Sequence, residues 1–451
     1  MKIMFVSLGC DKNLVDTEMM LGTLSKKGFD FTDDENEADV IVVNTCCFIG
    51  DAKEESINTL IELGALKETG SLKCLIAAGC LAQRYKDEIL KEIPEIDAII
   101  GIAAIDEILK ALEDCLDRLD KKAKVSEEER KYFKDLATPP YASTDRLLTT
   151  GGHYAYLKIA EGCNKRCTYC VIPYVRGNFR SVPMEDLVAQ AEKLAEYGVR
   201  ELILVAQECT LYGKDIYGEK KLPELIRRLA KISGIYWIRL LYCYPEEITE
   251  DLIDVIATEK KVCHYIDMPI QHSSDRILKK MGRMTNEKEL RERITHIRER
   301  IPDIALRTTL ISGFPGETRE DFESLYRFVN EMEFDRLGVF TYSREEDTPA
   351  ASYPDQVDED VKTKRRDEIM ELQQEIAFEK AEDMIGKVLT VMVEGKVADE
   401  DTYVARTYKD APGVDGFLFI NTSASLMSGD FVKVKVTDSN EYDLIGEIEH
   451  E

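Results

Sequence analysis

The sequence has no long apolar run and no secretory leader. No stretch of about 18 or more apolar residues occurs in the chain, so a membrane span is not expected. Residues 1–6 run directly into a strand-like segment, without the apolar stretch and small-residue cleavage site of a secretory signal. The sequence therefore predicts a cytoplasmic protein without a membrane partner.

The chain is also short of positive charge. Its 60 Lys and Arg stand against 87 Asp and Glu, which gives a formal charge of −27. The isoelectric point is near 4.8. A surface this acidic disfavours nucleic acid and favours a basic partner, such as a ribosomal protein. Acidity for solubility alone is an equally good explanation of the composition.

A dinucleotide-binding fingerprint is missing as well. No Gly-x-Gly-x-x-Gly follows the first strand-like segment, which disfavours a plain NAD-dependent enzyme. The chain does contain 12 cysteines. Because the cytosol keeps thiols reduced, grouped cysteines there bind metals or clusters more often than they form disulfides.

The overall pattern is α/β, in four predicted parts. Residues 1–118 alternate short apolar strands with helical patterns, which predicts βαβ units and a parallel sheet. Residues 119–150 are charged and then proline-containing, and are predicted to be a linker. Residues 151–380 contain about six further βα units, typical of an incomplete TIM-like (βα)6 barrel. Residues 381–451 show short strand patterns, which predict a small all-β barrel of the OB-like kind.

A Cys-x3-Cys-x2-Cys motif in the third part carries the clearest chemistry. We call its cysteines the central trio: Cys163, Cys167 and Cys170. They follow a predicted strand at 155–159, and barrels of this kind place their chemistry after the strands. Three thiolates can hold three irons of a 4Fe–4S cluster. A structural zinc site would want a fourth ligand, and none lies nearby in the sequence; incidental cysteines are the other alternative.

A second trio is dispersed in the first part but occupies equivalent positions. This N-terminal trio is Cys10, Cys46 and Cys80, each at the end of a predicted strand and before a helix. Because the carboxyl ends of parallel strands share one edge, we expect these thiols to converge and hold a second cluster. Three unrelated core thiols are the alternative. Cys46 is favoured over its neighbour Cys47, although whether Cys47 can substitute for it stays open.

The spacing of the central trio, with Tyr169 before its last cysteine, resembles the radical S-adenosylmethionine superfamily. With the N-terminal trio and the C-terminal barrel, the whole chain resembles the methylthiotransferase family. The resemblance implies two 4Fe–4S clusters, S-adenosylmethionine and a TRAM domain at the C-terminus that docks the substrate. It implies that sulfur at the N-terminal trio is methylated, and that a radical generated at the central trio takes hydrogen from the substrate. It also implies an electron donor such as flavodoxin or ferredoxin.

Three stretches resemble the branch of this family that modifies ribosomal protein twelve of the small subunit at an aspartate β-carbon. They are residues 7–16, 204–208 and 266–274. Transfer-RNA methylthiotransferases usually read Gly-Cys-Gln-Met-Asn at the first cysteine, where this chain reads Gly-Cys-Asp-Lys-Asn. Gln-Glu-Cys-Thr at 207–210 departs from the Gln-Asp-Thr-Thr that is frequent in the ribosomal-protein branch.

The charge of the C-terminal part favours a protein substrate. Residues 387–451 hold 13 Asp or Glu and 6 Lys or Arg, a formal charge of −7. An RNA-docking module should present a basic face, so no specific nucleic-acid contact is expected. Two alternatives remain: an enzyme that methylthiolates an adenosine of transfer RNA, and a non-catalytic iron–sulfur module that binds the ribosome. No interface signal stands out, so a monomer is expected.

Five residues are candidate cofactor contacts. The resemblance implies that Tyr169 lies near the adenine, and that the strand with Ile311 and Gly313 lies against the adenosine. Gln207 and Arg239 lie at or near predicted strand ends, where they could contact methionine, ribose or substrate. Ordinary structural roles at a βα turn or at the barrel mouth are the alternative for each.

Overall fold

The N-terminal βα units form one parallel sheet. The computed structural model of the chain describes residues 1–70, 72–121 and 126–449. The first strands are β1 (Lys2–Ser7), β2 (Asp30–Phe31), β3 (Val40–Thr45), β4 (Cys74–Gly79), β5 (Ala98–Ile100) and β6 (Lys131–Tyr132). They pair in parallel in the order β2-β1-β3-β4-β5-β6, which confirms the predicted parallel sheet.

Helices cover both faces of this sheet. They are α1 (Asp11–Ser25), α2 (Gly50–Thr69), α3 (Cys80–Arg84), α4 (Lys86–Glu92) and α5 (Ile108–Lys121), with 3-10 turns at Ile102–Glu107 and Glu128–Arg130. Strands β3 and β4 are buried along their whole length, because apolar clusters pack on both faces. Helix α1 includes a first turn with the buried polar residues Lys12 and Asn13, where apolar periodicity gives no signal.

Part of the predicted linker belongs to this first sheet. Within residues 119–150, β6 pairs with β5, and Arg146 forms a buried ion pair with Glu18 of α1. The charges of this segment are therefore partly used to hold it against the N-terminal domain. Residues 122–125 of the linker, and 450–451 at the end of the C-terminal part, lie outside the described residues. The boundaries of the parts stay a prediction.

The central part is an open parallel barrel, as predicted. Its strands are β7 (Tyr154–Lys158), β8 (Ala160–Glu161), β9 (Arg180–Ser181), β10 (Glu201–Val205), β11 (Trp237–Leu240), β12 (Val262–Asp267), β13 (Ala305–Ser312) and β14 (Arg336–Thr341). Six of them form a parallel sheet in the order β14-β13-β12-β11-β10-β7, and β8 and β9 form a separate antiparallel pair.

Helices pack on the outer face of this barrel. Apart from α6 (Ile172–Val175), whose Val175 packs into an apolar cluster of the N-terminal domain, they are α7 (Met184–Glu196), α8 (Leu222–Leu229), α9 (Glu250–Thr258), α10 (Asp275–Lys280), α11 (Glu287–Arg300), α12 (Arg319–Met332) and α13 (Glu359–Glu382), with 3-10 turns at Pro245–Glu247 and Pro349–Ser352. Alternate strand residues, such as Leu202 and Leu204, face these helices in the main apolar core. The residues between them point into the barrel. No helix in the described parts of the chain is both long and apolar enough to cross a membrane.

The C-terminal part is a closed five-stranded barrel. Its strands are β15 (Val388–Lys396), β16 (Thr402–Thr407), β17 (Leu418–Asn421), β18 (Phe431–Asn440) and β19 (Asp443–Ile448). They close in the order β15-β16-β17-β19-β18, with only β17 and β19 running parallel to each other. Closure leaves no free sheet edge, which is how small all-β domains avoid edge pairing. The predicted small barrel is confirmed.

The C-terminal barrel packs against the amino-terminal ends of the central strands. Arg406 of β16 donates to Glu201, the first residue of β10, with an N–O distance of 2.7 Å, and to Glu394 at 2.7 Å. Phe431 contacts Trp237, the first residue of β11, with ring centroids 4.9 Å apart. The side chains of Arg406 and Glu201 are fully buried, so this ion pair is shielded from water.

Gly79 shapes the turn from β4 into α3. Its φ is +90°, and an added Cβ would lie 2.3 Å from Asn44 Oδ1 and 2.6 Å from the Thr45 carbonyl oxygen. We expect Gly79→Ala to lower the free energy of unfolding by about 3 kcal/mol, because backbone strain and a backbone clash add together. Gly28→Ala is the matched control, since Gly28 has a φ of +82° but nothing within 4 Å. Equal losses in urea unfolding would contradict the packing argument.

The buried Arg406 pair gives a second stability prediction. Arg406→Met removes one of the two arginines that hold the buried Glu201. It should cost about 3 kcal/mol of unfolding free energy, near the lower end for a broken buried pair, because Arg239 still pairs with Glu201. Lys396→Met is the control, because Lys396 is half exposed and lies 3.5 Å from the exposed Asp401. An exposed pair of this kind should contribute about 1 kcal/mol or less. A similar urea midpoint for the two variants would show that the interface does not depend on Arg406.

Candidate active site

The central trio lies on the loop that follows β8. The backbone N–H of Cys163 donates to the Gly177 carbonyl oxygen at 3.1 Å, and that of Cys170 donates to the Cys167 carbonyl oxygen at 3.1 Å. These bonds fold the loop back on itself. Burial raises the pKa of Cys163 to about 12, and burial together with the charges of Cys167 and Cys163 raises the pKa of Cys170. The structure thus brings the three thiols within electrostatic range of one another.

The N-terminal trio collects at the carboxyl edge of the first sheet. Cys10 precedes α1, Cys46 follows β3, and Cys80 is the first residue of α3. A Cβ on Gly9 would lie 2.8 Å from Cys46 Sγ, so the Cys46 thiol packs directly over the residue before Cys10. Burial raises the pKa of both Cys46 and Cys80, and the charge of Cys10 raises each further.

Asn13 holds the first two turns of this edge together. Its Nδ2 donates to the carbonyl oxygens of Leu8 at 2.9 Å and Thr45 at 3.0 Å. In return, Asn44 Nδ2 donates to the Asn13 carbonyl oxygen at 2.8 Å. The loops that carry Cys10 and Cys46 are therefore fixed to each other by side-chain amides. This explains why an asparagine is needed at this position.

Cys47 is directed differently from Cys46. It lies in the apolar core under the sheet, where burial raises its pKa to about 11 against the opposing charge of Arg84. Cys80 belongs to the same cluster, so burial alone does not separate the two neighbours. The thiol of Cys46 packs over Gly9, next to Cys10, and this contact supports Cys46 as the member of the trio. The cysteines predicted to be core thiols are all buried: Cys74, Cys115, Cys209, Cys243 and Cys263.

Four buried charges lie between the two trios. Lys158 and Arg176 pair with Asp16 and Glu161, and all four side chains are at most 4% exposed. Lys158 Nζ lies 2.9 Å from one Glu161 oxygen, and Arg176 Nη1 lies 2.8 Å from the other. Although burial opposes it, the charges of Arg176 and Lys158 lower the pKa of Glu161. Two cations and two anions make a neutral network, which is how buried charges are tolerated.

This network connects directly to the N-terminal trio. Arg176 Nη2 lies 3.2 Å from Cys80 Sγ and also donates to Asn13 Oδ1. Asp16 belongs to α1, whereas the other three charges belong to the central barrel. The seam between the two domains therefore passes through these side chains. Sequence reasoning missed them, because charges in an acidic chain are usually exposed and no local spacing marks this pairing.

Tyr169, Ile311 and Gly313 come together on one side of the central trio. Tyr169 and Ile311 are partly buried against the same small apolar cluster, which includes Phe314 at a ring-centroid distance of 6.5 Å from Tyr169. Gly313 follows β13 with a φ of +69°, and its N–H donates to Glu317 at 2.8 Å. The space beside Gly313 is filled by Lys362, whose Cγ would lie 2.1 Å from an added Cβ, so packing of this lysine explains the glycine. The aromatic ring of Tyr169 and the aliphatic side chain of Ile311 suit the face of a nucleobase.

Gln207 lies beside the same loop. Its Nε2 donates to Glu161 Oε1 at 3.0 Å, while its buried Oε1 has no hydrogen-bond partner within the described parts of the chain. An unpartnered buried oxygen is costly unless a ligand supplies a donor. Gln207 therefore retains a free acceptor for the amino group of a bound molecule.

Arg239 is not part of this arrangement, and the prediction of a cofactor contact needs correction. Its guanidinium lies inside the barrel near the amino-terminal ends of the strands, where it donates to Glu201 at 2.7 Å and to the Tyr408 carbonyl oxygen at 2.6 Å. Both partners belong to the contact with the C-terminal barrel. The position of Arg239 near the end of a short strand suggested the barrel mouth, but its side chain is used for domain packing.

Arg283 and Tyr244 lie by the central trio without having been singled out as cofactor contacts. The Tyr244 hydroxyl is 3.7 Å from Cys167 Sγ, and the Arg283 guanidinium stacks 4.2 Å from the Tyr244 ring centroid. The Arg283 side chain is 1% exposed. A fully buried arginine thus accompanies each trio: Arg283 near the central one and Arg176 near the N-terminal one. Only the three-dimensional structure reveals this, since Arg283 is distant from the central motif in sequence, and Arg176, although it follows Cys170 closely, contacts the other trio.

The residues present fit two cysteine-ligated clusters. In each trio, three buried or half-buried thiols share one loop cluster, and a buried arginine offsets the negative charge that thiolates bring. In residues 1–70, 72–121 and 126–449, no three His, Cys, Asp or Glu side chains are arranged around a point that suits a single metal ion. A 4Fe–4S cluster takes each thiolate on a different iron, so its ligands need not converge on one point.

Comparison with known proteins agrees with this arrangement. Residues 2–101 match an uncharacterized protein family, UPF0004; residues 157–329 match the radical SAM superfamily; and residues 385–448 match the TRAM domain. Two solved structures are similar in fold to this chain. A radical S-adenosylmethionine methyltransferase, TsrM from Kitasatospora setae, has a TM-score of 0.58 at 16% identity, covering 77% of this chain and 76% of its own. The cobalamin-dependent radical enzyme OxsB has a TM-score of 0.53 at 14% identity, covering 82% and 56%.

Much closer relatives align over the full length. The chain is 59% identical over 449 residues to the ribosomal protein uS12 methylthiotransferase RimO of Lachnoclostridium phytofermentans, covering 100% of both chains. It is 53% identical to RimO of Acetivibrio thermocellus, covering 100% of this chain and 99% of that one. For RimO of Clostridioides difficile the identity is 49%, with the same coverage. By this similarity, the chain belongs to the RimO family of ribosomal protein uS12 methylthiotransferases.

Proposed function

We propose that the chain transfers a methylthio group to the β-carbon of an aspartate in ribosomal protein uS12. The observation that carries the proposal is the presence of two cysteine trios, each with buried and half-buried thiols, at one domain seam. Each trio lies at the carboxyl edge of a parallel sheet, where ligands of such sheets bind. Two separate iron–sulfur sites that face one seam suit a reaction that joins a sulfur-bearing group to a radical.

Each trio has its own role in this proposal. Cys163, Cys167 and Cys170 would hold the 4Fe–4S cluster that binds S-adenosylmethionine, and Cys10, Cys46 and Cys80 would hold the auxiliary 4Fe–4S cluster. When bound, the two clusters supply reductive cleavage of S-adenosylmethionine and a place where sulfur is methylated. The protein contributes thiolate ligands, a neutral buried network and exclusion of water.

Tyr169, Ile311 and Gly313 are proposed to bind the adenosine, and Gln207 the methionine end of the cofactor. The support is the apolar cluster that Tyr169 and Ile311 share and the free Gln207 oxygen, while Gly313 follows from the family resemblance. Arg283 is added to this set because its buried guanidinium can pair with a carboxylate. None of these side chains is exposed to bulk water to the extent of a surface residue. Burial strengthens each polar contact that they make to a ligand.

The C-terminal barrel supports a basic protein as substrate. Its exposed charges in the described residues comprise more acids than bases: Asp399, Glu400, Asp401, Asp438, Glu441, Glu447 and Glu449 against Lys387, Lys396, Lys433 and Lys435. The arginine of this barrel, Arg406, is buried in the interface. An acidic surface repels the phosphates of RNA and attracts a basic ribosomal protein.

Several finer points belong to the same proposal. We expect residues 1–118 to act as the auxiliary-cluster domain, 151–380 as the radical domain and 381–451 as the TRAM domain. The protein is expected to work as a cytoplasmic monomer, to receive electrons from a flavodoxin or ferredoxin, and to make no specific contact with nucleic acid. Its partner would be uS12, either free or within the ribosome.

A mass measurement separates the protein substrate from transfer RNA. Reconstituted enzyme with S-adenosylmethionine and reductant should add the mass of one methylthio group to purified uS12, and fragmentation should locate it on an aspartate. Unmodified transfer RNA incubated in parallel should not change. Addition to RNA alone would contradict the proposal. Failure to release 5′-deoxyadenosine from S-adenosylmethionine would favour the non-catalytic iron–sulfur module instead.

Iron and sulfide content tests the two trios independently. After anaerobic reconstitution, Cys163→Ala and Cys46→Ala should each lose one of two clusters, so iron and sulfide should fall by about half in each. Cys47→Ala is the matched control, because Cys47 is adjacent to Cys46 in sequence but its thiol lies beside Arg84. It should retain both clusters. If Cys47→Ala loses as much iron as Cys46→Ala, the assignment of the N-terminal trio is wrong.

A further inference from the structure

Arg176 connects the two cysteine sites through a single short segment. Helix α6 begins two residues after Cys170, and Arg176 is the residue that ends it. The guanidinium then extends across the domain seam to the N-terminal sheet. Because the same loop supplies the central trio, the position of Arg176 is set by the backbone that holds the first cluster site.

The hydrogen bonds of Arg176 place its guanidinium next to a thiol of the N-terminal trio. Nη2 is 3.2 Å from Cys80 Sγ, and Nη1 is 2.8 Å from Glu161 Oε1. The side chain is 1% exposed. Cys80 itself is 6% exposed, so water does not screen the pair. An N–H from a charged donor to a thiolate is a strong interaction under these conditions.

Arg176 carries a permanent positive charge, because a guanidinium group stays protonated in proteins. Its distance from the Cys80 thiol is fixed by Glu161 and Asn13, which accept hydrogen bonds from the same guanidinium.

We propose that Arg176 is a positioning residue that raises the reduction potential of the auxiliary cluster through its contact with Cys80 Sγ. This inference rests on the proposed function only in requiring a cluster at the N-terminal trio. Reduction adds one electron to that cluster, taken from an external reductant, and no covalent bond forms or breaks. A nearby cation and an N–H donor to sulfur stabilise the more negative, reduced state. Losing them should make reduction harder.

The chain offers a matched control in Arg84. It also spans the domain seam, donating to Glu345 at 3.2 Å and to the Glu346 carbonyl oxygen at 2.8 Å. It also lies beside a cysteine, but that cysteine is Cys47, which is not in the trio. Removing Arg84 tests a loss of charge at the seam without a change at a ligand thiol.

The experiment isolates the auxiliary cluster in the full-length chain. The parent protein carries Cys163→Ala, Cys167→Ala and Cys170→Ala, so that only the N-terminal trio can hold a cluster. Arg176→Gln, Glu161→Gln and Arg84→Gln are each added to it. All are reconstituted anaerobically, and their iron and sulfide are measured. The cluster is then reduced stepwise with dithionite, and its reduced form is followed by electron paramagnetic resonance.

The three variants should differ in the midpoint potential of the cluster. Arg176→Gln should lower the midpoint potential, so that the ratio of reduced to oxidised cluster at the parent's midpoint falls about tenfold, or 59 mV for one electron. Glu161→Gln should raise the midpoint, because it removes the anion that offsets Arg176. Arg84→Gln should leave it unchanged. A loss of packing alone would not produce opposite shifts from two members of one ion pair.

Other results overturn the proposal. An unchanged midpoint in Arg176→Gln, or an equal shift in Arg84→Gln, would show that the contact with Cys80 does not set the potential. If Arg176→Gln binds no iron, two other variants decide. Glu161→Gln must raise the midpoint potential, and Arg176→Lys must keep it near that of the parent. Otherwise the proposal fails. A parent that holds no cluster contradicts the proposed function itself, and iron analysis detects this before any titration.

Discussion

The arrangement of the whole site depends on four charged side chains buried between two domains. Charges removed from water are tolerated only when they are paired, and Lys158, Arg176, Asp16 and Glu161 pair with one another across the seam. Three belong to the central barrel and Asp16 to the N-terminal helix α1. Separating the domains would take Asp16 away from Lys158 and Arg176, whereas Glu161 would keep both cations within the central barrel. The network therefore fixes how the two cysteine sites lie relative to each other.

The same constraint explains why polar residues, rather than apolar ones, fill the start of α1. Asn13 joins the turns that carry Cys10 and Cys46, and it also accepts a hydrogen bond from Arg176. Asp16 lies one turn later and pairs with Lys158. Both are buried, and neither could be replaced by an apolar residue without leaving a partner unsatisfied. The helix thus acts as the connector between the sheet edge and the barrel.

The sequence predicted the cysteine trios because each is marked by local pattern. The Cys-x3-Cys-x2-Cys spacing is contiguous, and the N-terminal trio repeats one position in three βα turns. The roles of Arg176 and Lys158 could not be predicted, since their partners across the seam, Cys80 and Asp16, lie more than 90 residues away in sequence. Arg239 was misplaced for a related reason: strand alternation shows that a side chain points into a barrel, but not towards which end. The order of the domains and the three architectures followed from periodicity alone.

The C-terminal barrel contacts the amino-terminal ends of the central strands, whereas the cysteine loops follow the carboxyl-terminal ends. The strands of the central barrel lie between the two regions, although Asp415 of the C-terminal part reaches Arg307 within β13. The acidic residues of the C-terminal barrel fall into two groups. Asp410 and Asp415 bind arginines of the central barrel, while Asp399, Glu400 and Asp401 face solvent. The formal charge of this part therefore overstates what a partner meets. The acidic surface of the C-terminal barrel can add affinity for a basic protein substrate. The residue that reacts must be recognised at the seam, by groups that belong to the two cysteine domains.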